Sequence, residues 1–286
     1  MTWGLASYET RFRWVAAIWA VLLTGWCAGT MSWSWRIALL GALLWVAITV
    51  LLSLRFAWWR PRGARDVPIF LLLGRLGPDS QPQEFLPAEG LERLIKNLLV
   101  AGYRFQTVSE AIDEPTRKSV AMCFDGGART ALNRLLPLLQ KYGVRATLFA
   151  TDRGVTDSRR LKPLELQELL RSGMLEIGGS VEDLGPEASE EAWAAEVVRV
   201  RHWLAGVLGA LPNVFAYPEG IAPERLKEAV KAAGYHAAMT EGRVLRPVKA
   251  DPFAIRRRSI PMGCKPWQAY LLATRGRFSA LSTPAK

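Results

Sequence analysis

The sequence predicts an α/β protein: a parallel barrel of strands and helices, closed or nearly closed, behind a hairpin of two membrane-spanning helices. Three observations carry this. Short apolar runs alternate with amphipathic helical stretches from residue 67 onward, the pattern of a parallel sheet covered by helices. Residues 14–35 and 37–54 contain no charged residue. Nine of the twelve tryptophans fall within the first 59 residues and cluster near the ends of those two runs.

The N-terminal part comes first in the chain. A helix needs ~20 apolar residues to cross the hydrocarbon core, so each run predicts a span, over about 14–35 and 37–56. Tryptophan at the run ends fits an interfacial belt. Arg11 and Arg13 precede the first span, and Arg55, Arg60, Arg62 and Arg65 follow the second. Only Arg36 lies in the connection, so the positive-inside rule puts both ends, and the barrel, on the cytoplasmic side of the membrane. The expected organisation is a transmembrane hairpin over 1–59, a basic linker over 60–66 and the barrel over 67–286.

The barrel elements follow in order. Residues 67–73 (VPIFLLL) read as a buried strand. Residues 91–101 (LERLIKNLLVA) have helical apolar spacing and end at Gly102. Strands are expected at 104–108 and 120–124, a helix at 132–142 ending at Gly143, and a strand at 146–150. A helix at 161–171, a strand at 175–177 and a long helix at 190–208 come next. The series closes with a strand at 214–217, a helix at 223–233, and strands at 236–239 and 256–260. About seven strand–helix units in this length suit a barrel better than a small open sheet, and barrels of this kind place reactive residues at the C-terminal strand ends.

Composition narrows the function. Lys plus Arg is 37 and Asp plus Glu is 26, a net charge of +11. The basic flanks of the hairpin account for part of this through anionic lipid head groups. No nucleic-acid partner is expected, because no aromatic-plus-basic recognition motif is present. Cys27, Cys123 and Cys264 lie far apart, which excludes a disulfide scaffold and a cysteine zinc module. His202 and His236 are the only histidines.

The strand ends carry a resemblance. Cys123-Phe124-Asp125-Gly126-Gly127 is similar to the Thr-Phe-Asp-Asp-Gly motif of the NodB-type polysaccharide deacetylases. Ala146-Thr147-Leu148-Phe149 resembles that family's next strand. Glu176-Ile177-Gly178-Gly179-Ser180-Val181-Glu182-Asp183-Leu184 resembles its second motif, Glu-Ile-Gly-Ser-His-Thr-x-x-His. Phe215-Ala216-Tyr217-Pro218-Glu219-Gly220 resembles the Phe-Ala-Tyr-Pro-Tyr-Gly of the poly-N-acetylglucosamine branch. The ordered set, over about residues 67–272, is more specific than any one motif. It implies a distorted (β/α)7 barrel and an ancestral reaction that removes acetyl groups from glycans.

The resemblance also implies a loss. In that family the first motif supplies a base Asp and a metal-binding Asp, and the second supplies two metal-binding histidines. The base position is Asp125, but the ligand positions are Gly126, Ser180 and Leu184, so no metal cofactor is expected. The opening-strand His position is Gly74, and no late histidine stands as general acid. Asp125 is then either a remnant general base or a turn carboxylate. Tyr217, Glu219 and Glu182 are candidate substrate-binding residues: an aromatic face for a sugar ring, and carboxylates that with Glu176 would make an acidic pocket. Trp267 is a further stacking candidate. The run Arg256-Arg257-Arg258 is either a solvated face or a contact to phosphates. The expected role is a non-catalytic, deacetylase-like protein that binds a glycan, a lipid-linked precursor or a membrane polysaccharide-synthesis partner. An altered hydrolase built on Asp125 and a structural partner of a synthase are the alternatives.

Overall fold

A computed structural model describes residues 20, 40–48, 51, 68–73, 88–116, 118–126, 129–152, 160–181, 184, 188–242, 251–261 and 264–275. The chain divides into two compact units. Ala64–Gly276 is the barrel unit, and Met1–Gly63 with Arg277–Lys286 is the other. The first expected membrane span lies outside the described residues apart from Ala20, and the second is described over 40–48 and at Leu51. Among the described residues, no helix is long and apolar enough to cross a membrane.

Among the described residues the barrel has eight strands: β1 (Ile69–Leu73), β2 (Arg104–Phe105), β3 (Ser119–Asp125), β4 (Ala146–Ala150), β5 (Leu175–Ser180), β6 (Val214–Ala216), β7 (Ala237–Glu241) and β8 (Ile255–Ile260). The order is β1-β8-β7-β6-β5-β4-β3-β2, and β1 also pairs with β3. That extra pairing closes a ring of seven strands, all parallel, and leaves β2 as a short strand beside β3. The helices are α1 (Ala88–Val100), α2 (Val108–Asp113), α3 (Leu136–Tyr142, after a π-type turn at Ala131–Leu135), α4 (Pro163–Arg171), α5 (Glu190–Leu208), α6 (Glu224–Ala232) and α7 (Pro266–Arg275).

Apolar residues on both faces explain the strands. All five residues of β4 are buried, as a parallel strand packed on both sides requires. The helices bury one stripe each. In α1, Leu91, Leu94, Ile95 and Leu98 fall at positions i, i+3, i+4 and i+7 and are buried, at ~2 kcal/mol per side chain removed from water. Inside the ring, Phe70, Ala121, Cys123, Phe149, Ala216, Met239 and Ile255 form one core with Val108 and Ala111 of α2.

Register fixes what faces that core. Cys123 pairs with Thr147 and Asp125 with Phe149; Thr147 pairs with Glu176 and Phe149 with Gly178. Strand alternation then gives Cys123, Asp125, Thr147, Phe149, Glu176 and Gly178 the same inward side. Phe149 fills the barrel because Gly178 leaves room: a Cβ there would stand 2.7 Å from the Phe149 ring.

The structure adds α7 (Pro266–Arg275), which the sequence reading does not place, and corrects one element. Residues 104–108 read as a strand, yet only Arg104–Phe105 is extended and Val108 opens α2. A capping box turns the chain: the Thr107 side chain accepts from the Glu110 amide, and the Glu110 carboxylate accepts from the Thr107 amide.

Candidate active site at the barrel mouth

Asp125 is the last residue of β3 and stands at the C-terminal mouth of the barrel, its side chain 36% exposed. Arg257, on β8, is 0% exposed and donates to it twice: Nη1 to Oδ1 at 2.5 Å and Nη2 to Oδ2 at 3.0 Å. A parallel fork of this kind is the strongest arrangement open to a carboxylate and a guanidinium. The Arg257 guanidinium also lies 5.4 Å from the centre of the Phe149 ring, over its face. Burial works against its charge, but the Asp125 carboxylate outweighs it and holds the group above the ordinary arginine value. One layer deeper, burial pushes the Cys123 thiol up to about 12, so it remains neutral and unreactive at physiological pH.

The positions where the resemblance expects metal ligands are filled by other work. Gly126 has φ +95°, in the left-handed region. Its amide donates to the Phe149 carbonyl at 3.0 Å, and its carbonyl accepts from Arg160 Nη1 at 2.7 Å. The Ser180 hydroxyl donates to the Ala216 carbonyl at 3.0 Å. Leu184 is half-buried and apolar. These side chains offer no imidazole or carboxylate, and a divalent metal of the family type does not fit them. Among the described residues, no group of three His, Cys, Asp or Glu side chains could hold a metal ion.

Comparison with known proteins places this arrangement. Residues 112–238 match the polysaccharide deacetylase family. A putative polysaccharide deacetylase of Bacillus subtilis (strain 168), YxkH, is 24% identical over 170 residues, 54% of this chain. The match spans 58% of that relative's length. The deacetylase PplD of Streptococcus pyogenes, solved with acetate, superposes with a TM-score of 0.63 at 16% identity, covering 73% of this chain and 97% of that one. IcaB of Ammonifex degensii gives 0.63 at 22% identity, covering 73% and 98%. Residues 112–238 are thus similar to the polysaccharide deacetylases, and the barrel has the fold of the solved ones. These solved neighbours share the deacetylase fold, a parallel seven-stranded barrel with outer helices.

Within this deacetylase barrel, the other candidate residues separate. Tyr217 does not offer a face to a sugar: it is 1% exposed, packs edge-on to Phe215, and donates its hydroxyl to the Phe253 carbonyl at 3.0 Å. Burial raises that hydroxyl above the ordinary tyrosine range. Glu219 lies in a short turn at Pro218–Gly220, and its side chain falls outside the described residues, as does Glu182. Glu176 is not part of an acidic pocket at the mouth. Its register is two residues nearer the N-terminal end than Gly178, and its carboxylate accepts from the Ser109 amide and hydroxyl and from Thr147 Oγ1. Trp267 is half-buried in the first turn of α7.

The arginine run, expected as either a solvated face or a contact to phosphates, is not one solvated face. β8 turns Arg257 inward and Arg258 outward, and both are buried. The signal was available in the strand alternation of Ile255, Arg257 and Ser259, which share one side. The consecutive charges masked it.

Proposed function

We propose that this chain is a membrane-anchored deacetylase relative that has given up the metal-dependent reaction. It binds a glycan, a lipid-linked precursor or a polysaccharide-synthesis partner in bacterial surface-polysaccharide production. The observation that carries the reading is the state of the mouth: Asp125 is forked to Arg257, while Gly126, Ser180 and Leu184 offer no metal-binding side chain. Without a metal there is no Lewis acid to polarise an acetyl carbonyl, a loss of several kcal/mol of transition-state stabilisation. Both oxygens of the remaining carboxylate are engaged by a guanidinium rather than left free for a substrate. The anchor is the Trp-rich hairpin, with the barrel on the cytoplasmic side of the inner membrane, supported by the two charge-free runs and the arginines flanking them.

One observation favours a second reading, a hydrolase of altered chemistry: the Asp125 side chain is 36% exposed and can meet a substrate. One experiment separates them. The full-length protein, purified in detergent, is loaded with Zn²⁺, Co²⁺, Ni²⁺ or Mg²⁺, stripped of free metal, and its retained ions are counted by mass spectrometry. Acetate release from N-acetylglucosamine oligomers is assayed alongside. We expect no retained ion and no release. About one tightly held ion per chain, or acetate release abolished by Asp125→Asn, overturns the non-catalytic reading.

A further inference from the structure

The outward-facing arginine of β8 has a use that the mouth does not explain. Arg258 is 8% exposed, so nearly all of the side chain has left water. Among the described residues no carboxylate pairs with it. Its hydrogen bond runs from Nη1 to the carbonyl of Ala273, in the last turn of α7, at 2.6 Å. Its Nε is buried and has no hydrogen-bond partner. Nε and Nη2 form one straight edge of a guanidinium, the side-on fork that meets two oxygens of an oxyanion. In Arg258 that edge is left over once Nη1 is committed to the helix end.

A buried cation that meets only one carbonyl is costly, and natural proteins pair such charges. Tyr103 is the group whose charge acts on Arg258, and it favours the charged form without forming a hydrogen bond to the fork. Desolvation outweighs Tyr103 and lowers Arg258 to about 10, which keeps it charged at neutral pH with no carboxylate on its fork among the described residues. Arg257, its neighbour, is the internal control. It is more fully buried and its Nε also lacks a partner, but it faces the opposite side of the strand and its two Nη groups hold a carboxylate.

We propose that the Arg258 fork, beneath α7 on the outside of the barrel, is a binding site for a phosphate-type oxyanion. The site is separate from the mouth and does not depend on whether the mouth binds glycan. A free phosphate and the phosphodiester of an anionic lipid head group present the same two oxygens, and the experiment distinguishes them.

The thermal unfolding of the full-length protein is followed in neutral detergent, in inorganic phosphate and in chloride of equal ionic strength. It is then followed in lipid nanodiscs of phosphatidylcholine with and without phosphatidylglycerol. An anion that binds only the folded state raises the transition in proportion to occupancy. The wild type is expected to gain in phosphate, in the anionic nanodisc, or in both; the arm that responds names the source. Arg258→Met removes the fork and the charge. It should be at least as stable as wild type in chloride, because an unpaired buried charge replaced by an apolar chain is neutral or stabilising, and should lose the anion response. Arg258→Lys keeps the charge without the fork, and its apparent phosphate affinity should fall about tenfold. It decides the matter if the methionine variant does not fold. No wild-type response in either arm, or equal responses in wild type and both variants, overturns the site.

Discussion

Arg257 and Asp125 are unequal partners, and the inequality is measurable. Arg257 has no contact with water, whereas Asp125 is 36% exposed. Truncating Asp125 to Ala strands a buried guanidinium, and losing one partner of such a pair costs about 3–5 kcal/mol. Replacing Arg257 with Met removes the buried charge and leaves a carboxylate that water can reach, so the cost should be smaller, ~1–2 kcal/mol. Chemical denaturation of the two variants checks the order; a larger loss for Arg257→Met would mean that Asp125 depends on its partner more than its exposure implies. Asp125 itself was legible, since a carboxylate after an apolar strand and before glycines marks a strand end. Its partner was not. Sequence places no residue 132 positions away beside it, and three arginines in a row look like solvent-facing charge until the strand assigns them to opposite sides.

At the scale of the element, α2 is the feature that local pattern failed to show. Its six residues are too few for a clear helical period, and Phe105 and Val108 beside them mimic a strand. The tertiary structure supplies the rest. The Val108 amide donates to Thr147 Oγ1 at 2.9 Å, and Glu176 accepts from the Ser109 amide at 3.2 Å. A carboxylate at the first turn also meets the positive end of the helix. Glu176 is therefore a structural residue of the motif it belongs to, holding α2 across the interior of the ring while Val108 and Ala111 pack into it. Glu176→Ala should destabilise the barrel by about 1–3 kcal/mol, the cost of leaving buried donors unpaired. Amide exchange should quicken at Val108 and Ser109 well before β7 and β8 are affected. Uniform exchange across the barrel in this variant would place the carboxylate in a general rather than a local role. The other elements except α7 were legible because long amphipathic helices and fully apolar strands repeat their pattern enough times to be read; Gly178 fitted that pattern, but the reason for it, the ring of Phe149, lies on a neighbouring strand.

For the whole molecule, the alternation of strand and helix gave the barrel, and the ordered motifs gave the family that residues 112–238 match. The closure of the ring through β1 and β3 is a long-range pairing that no local signal carries. The barrel unit begins at Ala64, within the basic linker at 60–66 that the composition shift marks. A linker of Arg, Pro and Gly beside a compact unit is where a protease cuts. Trypsin is therefore expected to release a fragment starting near residue 66 that unfolds at the temperature of the intact barrel, since its core lies wholly within Ala64–Gly276. The side from which trypsin acts tests the orientation. Arg55, Arg60, Arg62 and Arg65 on the cytoplasmic face require release from inverted membrane vesicles and protection in intact spheroplasts. Release from spheroplasts would invert the topology and place the mouth among extracytoplasmic glycans. Release of a fragment that unfolds at a lower temperature would mean that the barrel draws stability from the hairpin or the membrane, and the oxyanion fork of Arg258 would be the first contact to test.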